Sequence, residues 1–199
     1  MQPAYYEDFN EIKKKIWLML DNAITNRASQ FRIPTFICGD QTDFDGRIVV
    51  LRKSDQQKNI IQFHSDIRSD KIGKLRKNSK AAMLFYDKDE KIQVRLKVEC
   101  TINHANDITK ESWLKTGHIS RKCYLVNDGP GTESETPTSG LKPELDNFEF
   151  TMEQSEVGYK NFTVIQCKIK SIEWLYLTAK GHRRAKFDLE NNKEQWLIP

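Results

Sequence analysis

Hydrophobic residues recur at every fourth position near the start of the chain, and at every second position in later segments. Ile12, Ile16, Leu20 and Ile24 form the first pattern. This spacing places them along one face of a helix. From Phe31 onward the chain is rich in β-branched and aromatic residues, which are typical of strands. The pattern therefore predicts a helix that packs on a β-sheet.

Six segments have the length and composition of strands. The most regular one spans residues 92–100, where apolar residues from Ile92 to Cys100 alternate strictly with polar ones and so share one face of a sheet. The other predicted strands are residues 34–38, 47–52, 59–64, 81–86 and 161–169. Residues 69–78 and about 107–123 have helical patterns, with Ser69 at the N-cap position of the first. We therefore expect a single domain, residues 1–199, with a mainly β, antiparallel barrel and peripheral helices.

Composition narrows the classes of function. The chain has 199 residues, of which 38% are hydrophobic and 30% charged, and its formal net charge is +4. Basic and acidic residues are interspersed, so we expect no nucleic-acid partner, and a bound phosphate is the simpler use of the basic excess. No apolar stretch has the length of a membrane span, and the first residues lack the layout of a signal peptide. These features predict a protein without a membrane partner.

Two further features concern the cysteines and one polar segment. The four cysteines are far apart and form no CxxC pair, so we expect no metal site and a reduced, cytoplasmic protein. Residues 127–143 are rich in Gly, Ser, Thr, Pro and Glu, and we expect them to form a mobile loop.

The stretch from His64 to Lys71 contains the residue types that a phosphate site needs. Ser65, Ser69 and Lys71 lie at a turn between a predicted strand and the start of a predicted helix. Free backbone N–H groups and the positive end of the helix dipole point outward at such a turn. Serine hydroxyls and a lysine can add hydrogen bonds and charge there. Taken alone, the same residues also fit an ordinary helix N-cap with surface charges.

Arg47 and Arg52 bracket the second predicted strand. Their separation of five residues places them on opposite faces of a regular strand, unless a bulge intervenes. One of them would then serve the site and the other its rim.

Four motifs follow one another in a characteristic order. They are Arg-Ile-Val-Val-Leu-Arg at 47–52, Phe-His-Ser-Asp-Ile-Arg-Ser-Asp-Lys at 63–71, Gln-Val-Arg at 93–95, and a C-terminal segment that runs from Glu173 to Trp196. This order resembles the pyridoxamine 5′-phosphate oxidase-like family of FMN-binding split barrels, over nearly the whole chain. The Arg-Ser-x-Lys version is more similar to a subgroup of uncharacterised flavin proteins than to the authentic vitamin B6 oxidases. The resemblance implies a six-stranded antiparallel split β-barrel that holds FMN.

The resemblance also implies which residues contact FMN. The strand from Arg47 to Arg52 would lie along the flavin. Val49 and Val50 would offer backbone groups to the ring, and Arg52 would lie near the phosphate. The next motif would contact the ribityl chain, ring and phosphate through His64, Ser65, Arg68, Ser69 and Lys71. Gln93 would reach FMN across the sheet. Arg183 and Lys186 would approach the flavin or the substrate, often from the other subunit.

The chain departs from the authentic oxidases at two places. Asp70 replaces an arginine beside Lys71, so Arg68 would have to supply the second phosphate cation. The resemblance also implies that Arg52 stands for a lysine that binds the vitamin's phosphate in those oxidases, whereas Ser120, Arg121 and Tyr124 match their Tyr-Arg-Ser set poorly.

These observations favour a homodimeric FMN-dependent oxidoreductase that acts on a small-molecule substrate or electron donor. A cation near the flavin ring, Arg95 or Arg183, would stabilise the reduced flavin. The alternatives are a non-catalytic module that binds FMN or another phosphate ligand, and an authentic pyridoxamine 5′-phosphate oxidase.

Overall fold

Helices occupy the periphery of the protein. The computed structural model describes residues 4–40, 42–142, 145 and 150–199. The α-helices are α1 (Phe9–Thr25), α2 (Asp70–Lys77), α3 (Asp107–Leu114), α4 (His118–Arg121) and α5 (Met152–Ser155). Short 3-10 helices span Ala4–Glu7, Gln30–Arg32, Lys122–Tyr124 and Glu156–Asn161. None of the helices in these ranges combines the length and the hydrophobicity that a bilayer span requires.

In the described part of the chain, nine antiparallel strands form one sheet. They are β1 (Thr35–Gly39), β2 (Phe44–Ile48), β3 (Leu51–Asp55), β4 (Ile60–Asp66), β5 (Lys80–Asp87), β6 (Ile92–His104), β7 (Phe162–Tyr176), β8 (Arg183–Asp188) and β9 (Lys193–Leu197). The strand order is β2-β1-β5-β6-β7-β4-β3, and β8 pairs with both β7 and β9. In the described chain β2 and β3 end this path and do not pair, so the sheet is not closed. The predicted mainly β fold with peripheral helices is confirmed.

The core lies on one face of the sheet, which we call the core face. The apolar stripe of α1 is fully buried there at Ile12, Ile16 and Leu20. The alternating residues of β6 from Ile92 to Val98 belong to the same cluster. Helix and strand periodicity therefore place the main core as the sequence predicts.

A second, smaller cluster covers part of the opposite face, which we call the outer face. It joins Trp113 of α3 and Tyr124 to Phe162 and Val164 of β7. Because successive residues of a strand face opposite sides, β4 presents Phe63 to the core and His64 to this second cluster.

Two predicted elements are interrupted. The strand predicted over 47–52 is wrong as one strand, because Val49 and Val50 lie between β2 and β3 and the Val49 N–H bonds to the Pro34 carbonyl, outside the ladder. β2 pairs with β1 at one end of the sheet, and β3 pairs with β4 at the other end. The chain crosses from one end to the other between these two strands. The helix predicted over 107–123 ends at Leu114 and resumes at His118, because Gly117 adopts an extended conformation.

The remaining segments extend the prediction. The strand predicted over 161–169 continues to Tyr176, and the chain then returns in β8 and β9. The described residues therefore contain nine strands rather than the expected six. Residues 127–142 contain no helix or strand, and the Asn127 N–H bonds to the Gly140 carbonyl across the base of this loop. Residue 143 of the predicted loop lies outside the described residues.

Candidate functional site

Two serines and a lysine form a compact polar cluster at the end of β4 and the start of α2. Lys71 Nζ donates hydrogen bonds to Ser65 Oγ at 2.9 Å and to Ser69 Oγ at 3.0 Å. The two hydroxyl oxygens are 3.1 Å apart, and Ser69 Oγ also bonds to the Asp66 carbonyl at 2.8 Å. We call Ser65, Ser69 and Lys71 the hydroxyl cradle. The structure brings together three of the residues that the sequence assigns to the phosphate.

Local sequence creates this cradle. Ser65 is a core-facing residue near the end of β4, and Ser69 is the N-cap residue of α2, in extended conformation. The Ser69 side chain makes no capping bond to the helix and bonds to the Asp66 carbonyl instead. The first N–H groups of an α-helix lack intrahelical partners, so the cradle lies at an end that favours anions.

Burial and a neighbouring cation act on Lys71 together. They lower its pKa to about 8, with desolvation as the larger cause and the positive charge of Arg47 as the next. Among the described residues, no carboxylate lies within ion-pair distance of its ammonium group. A phosphate would supply the missing negative charge.

Arg47 adds a second cation beside the cradle. It lies on the core-facing side of β2, where its guanidinium pairs with Asp45 and is 3.9 Å from the Asp70 carboxylate. Its Nε is buried and has no hydrogen-bond acceptor in the described chain. One N–H of this guanidinium therefore has no acceptor within the described protein.

Lys74 is a member of this charge cluster that the sequence did not single out. Its ammonium lies 2.6 Å from the Asp43 carboxylate and 3.1 Å from that of Asp70, and these partners raise its pKa. The i,i+4 spacing of Asp70 and Lys74 was the available signal. Because Lys74 compensates Asp70, the acidic residue next to Lys71 is less repulsive to an anion.

Arg68 has other partners. Its guanidinium bonds to the Asp66 carboxylate at 2.7 and 3.0 Å and to the Asn127 carbonyl at 2.8 Å. The neighbouring Gly129 approaches so closely that an added Cβ would lie 3.1 Å from Arg68 Cβ. Arg68 thus fastens the 127–142 loop to the turn that carries the cradle, which leaves its predicted contact with a phosphate without support in this geometry.

Arg52 and His64 lie on the other side of β4 from the cradle. His64 alternates with Ser65 along the strand and packs its ring against Phe162 at 4.7 Å. Arg52 lies at a bulge between β3 and β4. Its positive charge, after desolvation, contributes to lowering the pKa of His64 to about 3. Arg47 and Arg52 therefore face opposite sides, although the chain between them is not one regular strand.

The remaining predicted residues are distributed over distant parts of the sheet. Gln93 pairs with Leu175 at one end of β7, whereas His64 pairs with Val164 near the other. Eleven residues of strand correspond to about 35 Å of chain. On β8, Arg183 stacks over Tyr6 at 5.2 Å, while Lys186 lies on the outer face opposite Glu173. One chain does not bring these three residues to the cradle.

Arg95, the other candidate for a cation near the flavin ring, is paired on the outer face. Its guanidinium contacts the carboxylate of Glu173, which also pairs with Arg184 at 2.6 Å.

Comparison with known proteins agrees with this geometry. A family model described as pyridoxamine 5′-phosphate oxidase, FMN-binding domain, matches residues 14–104, slightly less than half of the chain, and this stretch contains the whole cradle. Residues 14–104 of the chain match the FMN-binding domain of the pyridoxamine 5′-phosphate oxidase family. The resemblance seen in the sequence motifs is thereby confirmed.

Solved structures extend the similarity beyond the matched residues. A pyridoxamine 5′-phosphate oxidase-related, FMN binding protein from Nostoc punctiforme superimposes with a TM-score of 0.72 at 16% identity, over 100% of both chains. PhzG from Burkholderia lata, solved with tetrahydrophenazine-1-carboxylic acid, gives 0.71 at 13% identity, over 100% of this chain and 98% of PhzG. At these identities the similarity shows the fold. No curated protein matches the sequence.

Proposed function

We propose that this chain binds FMN and acts as an FMN-dependent oxidoreductase on a small molecule. The observation that supports it most directly is the hydroxyl cradle, where the half-buried ammonium of Lys71 has two hydroxyl partners and lacks a carboxylate among the described residues. A phosphate dianion fits such a site, because it neutralises the desolvated charge of Lys71 and accepts a hydrogen bond from a serine hydroxyl that turns away from the Asp66 carbonyl.

The chain's own residues would bind and orient the cofactor. Lys71, the two serines and the free Nε of Arg47 would hold the phosphate. Val49 and Val50 lie outside the strand ladders between β2 and β3, so this segment is suited to contact a planar ring through its backbone. FMN, when bound, supplies hydride-transfer chemistry, and the protein supplies position and electrostatics. The oxidoreductase part of the proposal relies on the matched family, whose description is an oxidase.

Oxidation of pyridoxamine 5′-phosphate is less well supported. Arg121, a candidate for binding that substrate, is 1% exposed, and its guanidinium donates to the carbonyls of Thr116 and Trp113 and pairs with Glu156. Its donors are thus committed to joining α3, α4 and α5. We therefore favour another small molecule as substrate.

A homodimer would complete the site. Cross-strand register aligns Ile48, Thr35, Leu84, Arg95, Glu173 and Lys186 in one row on the outer face. The β2 end of this row is apolar, with Ile48 60% exposed and the nearby Phe44 75% exposed. A second copy that covers these side chains would also bury Gln93 and Lys186, which could then reach the partner's flavin.

We also propose that the protein is located in the cytoplasm. All four cysteines are free thiols, the state that a reducing compartment maintains.

An absorption spectrum and FMN titrations of purified protein test the proposal. Wild type should show the two flavin bands, or gain them with added FMN. Lys71→Ala should weaken FMN binding by about tenfold or more, since it removes a charge-assisted bond. Lys77→Ala removes an exposed lysine from the same helix and should leave the affinity unchanged. A protein that stays colourless with excess FMN would contradict the proposal.

Turnover distinguishes an enzyme from a binding module. The bound flavin should be bleached by a small reductant, such as a reduced nicotinamide, and recover its colour in air. A flavin that is held tightly but stays oxidised under these conditions would favour the non-catalytic alternative.

A further inference from the structure

Two of the four cysteines lie opposite each other on neighbouring strands of the sheet. In the register of β6 and β7, Cys100 pairs with Cys167, and their sulfur atoms are 3.6 Å apart. Both side chains belong to the main core, where Cys100 is 7% exposed and Cys167 is completely buried. A disulfide bond is about 2.05 Å long, so the two sulfur atoms need to approach by about 1.5 Å, which rotation of the two side chains can supply.

The backbone places this pair at a position of the ladder where opposite side chains come closest. The Cys100 N–H bonds to the Ser79 carbonyl, on the β5 side of β6, and the Ile169 N–H bonds to the Asn59 carbonyl, on the β4 side of β7. Cys167 is two residues before Ile169 and has the same orientation, so the paired cysteines exchange no backbone hydrogen bond with each other. Opposite residues of this kind have Cα atoms about 4.5 Å apart, within the range that disulfides span.

The other two cysteines are poorly placed to compete for this bond. Cys38 lies on β1, and β5 separates β1 from β6, so two strand spacings of about 10 Å in total lie between Cys38 and Cys100. Cys123 is exposed beside the outer cluster, where its Sγ donates to the Ser120 carbonyl at 3.1 Å, whereas Cys100 and Cys167 face the core. The sheet therefore selects a single pair.

We propose that Cys100 and Cys167 form a redox modification site, which a peroxide converts to a cross-strand disulfide. In a reducing compartment the pair would exist as thiols and be oxidised transiently, as redox-sensing cysteines are. The flavin of the proposed function would provide one source of peroxide, because a reduced flavin that reacts with oxygen can release hydrogen peroxide, but formation of the disulfide does not depend on it.

The chemistry proceeds in two steps with hydrogen peroxide as the oxidant. The sulfur of Cys100, the more accessible of the two, attacks one peroxide oxygen; the O–O bond breaks, a sulfenic acid forms, and the first water leaves. The sulfur of Cys167 then attacks the sulfur of Cys100, and the hydroxyl group of the sulfenic acid leaves with the Cys167 proton as the second water. The thiols lose two electrons and the peroxide gains them. A hydrogen bond with Cys100 and burial raise the pKa of Cys167, so the second step is slow.

The disulfide would close the base of the segment that connects β6 to β7. This segment contains α3, α4, α5 and the 127–142 loop. Because the cross-link lies within the two strands, before the segment begins and after it ends, any cleavage of the backbone between the cysteines would leave the two parts of the chain covalently joined.

Peptide mapping by mass spectrometry tests the site. Wild type is incubated with hydrogen peroxide for hours, denatured, alkylated and digested with trypsin without reductant. The peptides 98–110 and 161–168, which contain Cys100 and Cys167, should appear joined and two hydrogen atoms lighter than their sum, and dithiothreitol should separate them. Cys123→Ser is the matched control and should retain the linked peptides, as should Cys38→Ser, whereas Cys100→Ser should lose them.

A protease that cleaves after glutamate provides a second measurement, which needs no variant and so remains informative where Cys100→Ser fails to fold. After limited cleavage in the exposed loop at Glu133 or Glu135, the two fragments of oxidised wild type should stay joined on a denaturing gel and separate once dithiothreitol is added.

The proposal is overturned if peroxide leaves both cysteines unlinked, converts them to sulfinic or sulfonic acids, or links Cys100 to Cys38 or Cys123 instead. None of these experiments requires FMN. A linked pair in a protein that does not bind FMN would therefore support the modification site and contradict the proposed function alone.

Discussion

Lys71 illustrates how a single residue can be prepared for an anion. The fold removes its ammonium from water and places Arg47 nearby, and both effects favour loss of the proton. Two serine hydroxyls accept its hydrogen bonds but contribute no negative charge. A bound phosphate would reverse the balance and raise the pKa of Lys71, so proton uptake and phosphate binding are coupled.

This coupling predicts a pH dependence of FMN affinity. Lys71 is protonated below its free-protein pKa of about 8, and the phosphate is a dianion above about pH 6. Affinity should therefore be highest between these values and fall above pH 8, by at most about tenfold per pH unit. Titrations from pH 6 to 10 would measure it.

Lys71→Met is the control for this pH dependence. It keeps the apolar stem of the side chain but cannot titrate, so its weaker FMN affinity should not fall further above pH 8. An identical decline in wild type and variant would assign the titration to another group.

At the scale of elements, the site depends on how β2 and α2 approach each other. The β1–β2 turn brings Asp43 and Asp45 to the side of α2, where Lys74 and Arg47 pair with them. Gly39 allows this tight turn, because an added Cβ would lie 2.5 Å from the Asp43 carbonyl oxygen and 2.6 Å from Phe44 Cδ1. Gly73, inside α2, has open space around the same position.

The two glycines should respond oppositely to replacement by alanine. Gly73→Ala should raise the free energy of unfolding by roughly 0.5–1 kcal/mol, since alanine favours a helix interior and meets no neighbour. Gly39→Ala should lower it by roughly 1–3 kcal/mol, because backbone atoms must move apart. Urea denaturation monitored by circular dichroism would measure both values. A destabilised Gly73→Ala would show that the glycine is needed where the helix meets the cradle.

At the scale of the whole molecule, the outer face combines an apolar end with a polar one. Exposed Ile48, with Phe44 nearby, lies at the β2 end of a row that leads across five further strands to the charged residue Lys186. Exposed apolar patches beside polar residues are characteristic of protein–protein contacts. A second copy would cover the patch and bring Gln93 and Lys186 within reach of its own cradle.

Ile48→Glu should dissociate the proposed dimer and weaken FMN binding together. A charge buried between two apolar surfaces without a partner costs several kcal/mol. Leu18→Glu is the matched control, since Leu18 is 63% exposed on α1, away from this face, against 60% for Ile48. Sedimentation velocity and FMN titration would follow both effects. A wild type that is monomeric and binds FMN fully would contradict the dimer.

The sequence by itself determined the features that depend on short spacing. The four-residue period of apolar residues predicted α1 and its buried face. The strict alternation of residues 92–100 predicted which side chains of β6 face the core. The seven residues from Ser65 to Lys71 were enough to predict the cradle. In the last case Ser65, Ser69 and Lys71 lie near each other because a strand ends and a helix begins between them. Local backbone geometry imposes such proximity, whatever the rest of the chain does.

The tertiary structure decided the features that depend on contacts between distant segments. It interrupted the predicted 47–52 strand, because β2 and β3 join opposite ends of the sheet. In the folded chain the guanidinium of Arg68 donates to a loop about 60 residues away in sequence. Gln93, Arg183 and Lys186 lie away from the cradle. The tertiary structure also brought residues of β3, β4, β7 and the α3–α4 region around one cavity. Alternation assigns a residue to a face of its own strand, but only the packing of the strands and helices decides which other residues share that surface.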